Sequence, residues 1–235
     1  AWLPYPMRNR LLAHDQNRGK SLQDLDLALQ TAVVTIINDL AGKAMKHDMP
    51  RILSSHLSVS EAKLGSERSV MLGKDVTISK SVLADQVWDY VALGHIHKHQ
   101  DVNSGSYPGI VYSGSLERID FGEEKETKGF CWVELEREKA SWKFVRVNAR
   151  PFLTIRIDVR DHDDPTAAVL SNISTHDIKG IVVRLMIKIK SQNTRMLRDK
   201  DIDNALSDAH SYSIAKDVEY EARTRIGGVD AETLS

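Results

Sequence analysis

Apolar residues recur at helical spacing between residues 21 and 46. Leu22, Leu25, Leu29, Ala32, Val33, Ile36, Ile37 and Leu40 fall on one face. Ser21 stands where a capping side chain is needed, Asp24 favours the positive end of the helix dipole, and Pro50 follows where a stop is expected. Beyond residue 50 the period shortens. Apolar runs predict strands at 51–55, 76–78, 90–93 and 110–112, and the segments 130–135 and 142–147 predict a hairpin turned through the charged stretch 136–140. Gly, Ser and Pro between 104 and 109 mark a loop.

The pattern changes near Pro151. Residues 152–159 alternate as a half-buried strand, 165–173 predict a helix, 181–189 a second strand, 199–209 a second short helix and 212–218 a third strand. A β-α-β-α-β order predicts a small separate α/β module. The expected division is therefore 1–150 and 151–235, with a polar, frayed tail after Glu219.

Composition narrows the class. The chain has 235 residues, 41% hydrophobic and 28% charged, enough for one large domain or one with a smaller companion. Thirty-two basic residues against thirty-three acidic ones give a net charge of -1, which neither demands a nucleic-acid partner nor excludes one. The single cysteine, Cys131, rules out an internal disulfide framework and lies in an apolar strand pattern, so a buried structural thiol is expected. A reducing cytoplasm fits. No signal peptide is expected, and no apolar run is expected to approach the roughly 18–20 residues that span a membrane.

Candidate chemistry sits where strands end. Tyr90-Val91-Ala92-Leu93-Gly94-His95-Ile96-His97 delivers two imidazoles at the carboxyl end of an apolar strand, the end at which open α/β sheets bind ligands. His95 and His97 share a face if the strand continues, and Gly94 allows a sharp turn or a close approach. A second junction, Ile52-Leu53-Ser54-Ser55-His56, also ends a strand in histidine. Taken separately these are more often ordinary surface histidines; together they point to a metal site, since imidazole ligates Mn, Fe, Zn or Ni. Two adjacent cations need bridging anions. The carboxylates in view, Glu61, Asp85, Asp89 and Asp101, lie outside the strand-end positions.

Leu-Ser-Ser-His at 53–56, Gly-Ser-Glu-Arg at 65–68, Tyr-Val-Ala-Leu-Gly-His-Ile-His at 90–97, Tyr-Ser-Gly-Ser-Leu-Glu-Arg at 112–118, Phe-Gly-Glu-Glu at 121–124 and Lys-Gly-Phe at 128–130 occur in that order. The series resembles the SbcD family of DNA-repair nucleases, within the calcineurin-like metallophosphoesterases, over roughly residues 1–150. The resemblance implies an α/β fold: part of a four-layer αββα sandwich, followed by a small α/β capping domain that contacts DNA. It implies a two-metal site for Mn²⁺, with Mg²⁺ as the alternative, in which His56 and His95 hold one ion and His97 the other. The four remaining ligands are expected from an Asp-x-His motif, a Gly-Asp motif and a Gly-Asn-His-Asp motif. In the family these precede the Leu-Pro-Tyr-Pro segment that stands here at 3–6. The expectation is that the chain begins about where the first half of the catalytic domain ends. The homodimerisation segment is expected mostly upstream, and the extension that grips an SbcC-type ATPase downstream.

The implied activity is phosphodiester hydrolysis: exonuclease on duplex ends and endonuclease on single strands and hairpins, in double-strand-break repair. Two other readings stand beside it, a catalytically inactive fragment or paralogue acting as a binding module, and a metallophosphoesterase for nucleotides or phosphoproteins. Further candidates are His99, a phosphate contact or a solvated loop residue, and Arg118, a DNA-backbone contact or a structural ion pair. Arg184, Lys188 and Lys190 on the second strand of the capping module form a solvated face or a track for phosphates.

Overall fold

In the computed structural model, which describes residues 1–7, 21–65 and 75–220, the Ser21 hydroxyl accepts the Asp24 main-chain N–H at 3.2 Å and starts helix α1 (Leu22–Ala44). Leu29, Val33, Ile37 and Ala41, one turn apart, are buried. Removing each of the three larger side chains from water stabilises by roughly 1.5–3 kcal/mol. The Arg51 guanidinium donates to the carbonyls of Met45 (3.3 Å) and His47 (2.9 Å), which closes the turn after the helix.

This helix corrects one expectation. By length and composition its segment Gln23–Ala44 is apolar enough to cross a membrane, with a mean hydropathy of 1.2. Leu29, Val33, Ile37 and Ala41 belong to the core that lines the sheet, and core helices pass the same test of length and composition.

Two compact units divide the chain, Ala1–Arg150 and Pro151–Ser235. In the first, α1 lies between β1 (Trp2–Leu3) and β2 (Ile52–His56). Then come β3 (Ser58–Val59), β4 (Thr77–Ile78), α2 (Lys80–Leu83), β5 (Tyr90–Gly94), β6 (Gln100–Asp101) and β7 (Gly109–Tyr112). A 3₁₀ turn (Phe121–Glu123) precedes the hairpin strands β8 (Gly129–Glu136) and β9 (Lys139–Arg146). The main sheet has the order β1-β2-β5-β7-β6, parallel except for β6 at its edge. The short strands β3 and β4 pair with each other.

Alternation sorts the main sheet's side chains. Leu53, Val91 and Ile110 stand in register on one face, as do Leu93 and Tyr112, and they share a core with α1. On the other face a Cβ at Gly109 would lie 3.2 Å from Trp142 of β9, so the hairpin packs there and the missing side chain makes room for it.

The second unit runs β10 (Phe152–Asp158), α3 (Pro165–Ser174), β11 (Val182–Lys190), a 3₁₀ turn (Ser191–Met196), α4 (Asp199–Ala205) and β12 (Ser211–Glu219). Its three strands are parallel, in the order β10-β11-β12. Val183, Leu185, Ile187 and Ile189 form one buried face with Val169 and Ile173 of α3 and Ile202 of α4. Asp164 caps α3 by accepting the Ala167 N–H at 2.9 Å, with Pro165 at the first helical position. The class is thus mixed α/β, with several sheets and few helices. The tail beyond residue 220 and most of the 65–68 motif lie outside the described residues.

Candidate functional site

Parallel β2 and β5 run side by side and end together: the last pair in register is His56 with Gly94. His95 follows at once, and its Nδ1 lies 3.2 Å from His56 Nε2. A Cβ at Gly94 would stand 2.9 Å from His56 Nδ1, so glycine here is what lets the His56 ring occupy its place. The turn itself falls on the next residue. His95 has φ 94°, a left-handed backbone that is uncommon for a residue with a side chain and costs of order 1–3 kcal/mol. Strain of this kind clusters at functional sites.

The other nitrogen of His95 meets a carboxylate that the sequence did not single out. Its Nε2 lies 2.8 Å from Asp75 Oδ2. Asp75 also accepts from the Tyr5 hydroxyl at 3.0 Å and from the Ser58 hydroxyl. Burial pushes the Asp75 carboxyl up, but the hydrogen bonds from His95, Ser58 and Tyr5 outweigh it and leave the pKa below the ordinary value. An ionised carboxylate only accepts, so His95 Nε2–H donates. In the neutral ring the lone pair then sits on Nδ1, facing His56. Solvent reaches part of the His56 ring, yet burial of the rest, followed by repulsion from His95, lowers its pKa against the pull of Asp75, with a smaller push from His97. A neutral imidazole can ligate.

With the lone pair on His95 Nδ1, the 3.2 Å contact is a hydrogen bond from His56 Nε2–H, and its length would also suit two ligands of one divalent cation. Two nitrogens each about 2.1 Å from a metal, at angles of about 90–109°, stand roughly 3.0–3.4 Å apart, and the observed separation is 3.2 Å. A carboxylate on the far nitrogen is the usual outer partner of a metal-bound histidine. Among the described residues no group of three or more His, Cys, Asp or Glu side chains is disposed to hold a metal. Asp75 meets His95 on Nε2, the nitrogen turned away from His56.

His97 is held separately. Its Nδ1 lies 2.8 Å from Glu123 Oε1, and Glu123 Oε2 lies 2.7 Å from the Lys128 ammonium. Both partners are almost fully buried, Glu123 at 1% and Lys128 at 0% exposure. Burial pushes the Glu123 carboxyl up, while Lys128, His97 and the Ile119 N–H pull it further down, to below its ordinary value. Sequence reasoning assigned no role to Asp75, Glu123, Lys128 or Tyr5. The one available signal was that Glu123 and Lys128 stand inside the 121–124 and 128–130 motifs.

The remaining candidates go elsewhere. His99 donates from Nδ1 to the Tyr112 carbonyl at 2.9 Å and lies flat on Phe144, ring centroids 4.2 Å apart, beside a cleft of about 550 Å³ also lined by Lys98, Lys125 and Thr127. Arg118 donates to the carbonyls of Glu124 (3.3 Å), Glu126 (2.7 Å), Ala149 (3.4 Å) and Arg150 (2.9 Å), so its guanidinium ties main chain together. Arg184, Lys188 and Lys190 belong to the second unit, on the β11 face opposite its core. There Arg184 donates to Thr154 at 3.1 Å and Lys190 pairs with Asp161 at 2.7 Å.

Of the carboxylates in view, Glu61, Asp85 and Asp101 accept nearby main-chain N–H groups. Asp89 is fully buried at the amino end of β5, where it accepts from Tyr107 (2.6 Å), Arg137 (2.7 Å) and the N–H groups of Arg51 (2.6 Å) and Glu138 (2.7 Å). It anchors the strand that carries the histidines but stands at the wrong end to join them. No protein-family model matches the chain.

Proposed function

We propose that the first unit carries part of a two-metal phosphoesterase centre. On this reading the protein is a subunit of a Mn²⁺-dependent, SbcD-type DNA nuclease that works with an SbcC-type ATPase in double-strand-break repair in the cytoplasm. One observation carries the reading: His56 Nε2 and His95 Nδ1 converge to 3.2 Å at the carboxyl ends of adjacent parallel strands. The helix on one face of the main sheet and the hairpin on the other support an αββα sandwich, and the second unit supports a capping domain.

The chemistry that a bound pair of divalent cations supplies is polarisation of a phosphate and activation of a water for in-line attack. The residues here prepare for it. His56 and His95 offer nitrogens to one ion and His97 to the other, as positioning ligands, because a nitrogen that ligates has no lone pair for a proton. Asp75 holds the His95 proton on Nε2 and so keeps Nδ1 turned toward His56.

The test compares linear duplex DNA, a small phosphodiester and a phosphoserine peptide as substrates, with native protein and His95→Ala. Mn²⁺-dependent loss of duplex that the variant abolishes is expected. Turnover of the small esters alone contradicts the nuclease reading, and duplex cleavage that survives in His95→Ala contradicts the ligand assignment. A second reading is a binding module without catalysis. In that case Mn²⁺ binds weakly and no substrate turns over.

A further inference from the structure

Lys128 is a buried ammonium whose three protons have three acceptors: Glu123 Oε2 at 2.7 Å, Glu126 Oε2 at 2.9 Å and the His97 carbonyl at 3.3 Å. Glu123 in turn accepts from His97 Nδ1 at 2.8 Å and from the Ile119 N–H at 3.1 Å. His97 is therefore gripped at both its ring and its main chain by one pair of side chains. The Ser115 N–H adds a second bond to the same carbonyl at 3.0 Å. Gly114, at φ 80°, permits this approach, since a Cβ there would lie 2.8 Å from the His97 oxygen.

Burying a lysine and a glutamate is costly, and a pair of this kind is weak evidence for stability alone. What the arrangement does specify is a proton position. Glu123, paired with Lys128 at 2.7 Å, accepts from Nδ1, so a His97 proton is held there, and in the neutral ring the lone pair belongs to Nε2. A histidine free in water prefers the opposite tautomer, with its proton on Nε2.

We propose that Glu123 and Lys128 are positioning residues that fix His97 in the Nδ1–H tautomer and thereby select Nε2 as the nitrogen it offers to a cation. The inference rests on the proposed ligand role of His97, but its first readout does not. In the metal-free protein labelled with ¹⁵N-histidine, long-range ¹H–¹⁵N spectra assign the protonated nitrogen directly. Native protein and Glu123→Gln, whose amide oxygen still accepts, are expected to show His97 protonated on Nδ1. Glu123→Leu is expected to shift the ring to the Nε2–H form and to weaken Mn²⁺ binding, read as broadening of the His97 resonances, by about 10–100-fold.

A native His97 protonated on Nε2 overturns the inference without recourse to any variant. So does a folded Glu123→Leu protein with unchanged tautomer and unchanged broadening. Failure of Mn²⁺ to broaden His56 and His95 is a separate result. It counts against the proposed function, while the tautomer still decides the roles of Glu123 and Lys128.

Discussion

His95 donates from Nε2 to Asp75 Oδ2 at 2.8 Å, across twenty residues of sequence. Asp75 therefore fixes which face of the His95 ring looks toward His56. Asp75→Ala is expected to reduce Mn²⁺ affinity by about 10–100-fold, measured by titration calorimetry. Affinity within twofold of native in a folded variant would show that the contact does not orient the ring.

Gly94 gives a sharper probe of the same geometry. An added Cβ meets the His56 ring at 2.9 Å, and its three nearest neighbours are all atoms of that ring, so the ring can swing aside and the fold can persist. Gly94→Ala is expected to cost roughly 1 kcal/mol or less of stability while Mn²⁺ affinity falls at least tenfold. Thermal melts and calorimetry on the same samples separate the two. A large drop in melting temperature with unchanged affinity would mean that the glycine serves the sheet and not the histidines.

Asp89 supplies the pH dependence. Burial pushes its carboxyl up, but Tyr107, the N–H groups of Arg51 and Glu138, and Arg137 outweigh that and hold its pKa below the ordinary value. Tyr107 is correspondingly pushed up to about 12, by burial first and Asp89 second. A carboxyl depressed in the folded state contributes its stability fully above the unfolded value of about 3.9 and loses it as pH falls through the folded value. Asp89→Asn is therefore expected to destabilise at pH 7 by about 2–3 kcal/mol, less than the roughly 3–5 of a wholly buried pair because Arg137 is partly exposed. Urea midpoints of the variant should also change less than native ones between pH 7 and pH 3. An equal acid limb in both proteins would assign the acid sensitivity to other groups.

The cations of β11 face acidic neighbours. Lys188 stands in register with Asp158 and Asp217, and Lys190 with Glu219. Charge-balanced in this way, neither lysine should behave as a full phosphate contact, which would lower the slope of log affinity against log salt by about 0.9 per residue. Lys188→Ala and Lys190→Ala are each expected to change that slope for duplex DNA by less than half as much. A full unit lost in either variant would mark that lysine as part of a phosphate track.

Local pattern carried most of what was legible in the sequence. The stripe of α1, the strand–histidine junctions at 56 and 95, and the β-α-β-α-β order after residue 150 each express one periodicity within one segment. Asp75 and Glu123 follow no such rule. They reach His95 and His97 from twenty and twenty-six residues away, and only tertiary folding chooses them over Glu61 or Asp101, which are nearby in sequence and face other partners. Of the two uses that Gly94 allows, the structure shows the close approach, to the His56 ring, while the positive φ falls on His95 because Gly94 is still paired in the sheet. Gln100–Asp101, for which the pattern predicts no element, pairs as an edge strand, since two residues are too few to show alternation.

The central claim is that His56 and His95 ligate the same ion. Mn²⁺ titration of native protein, His56→Ala, His95→Ala and the double variant tests it most directly. Either single change is predicted to remove most of the binding, and the double variant to bind no worse than the singles, since one site is lost only once. Binding that survives both changes, or losses that simply add, would contradict a shared cation and leave the 3.2 Å contact as a hydrogen bond between two imidazoles.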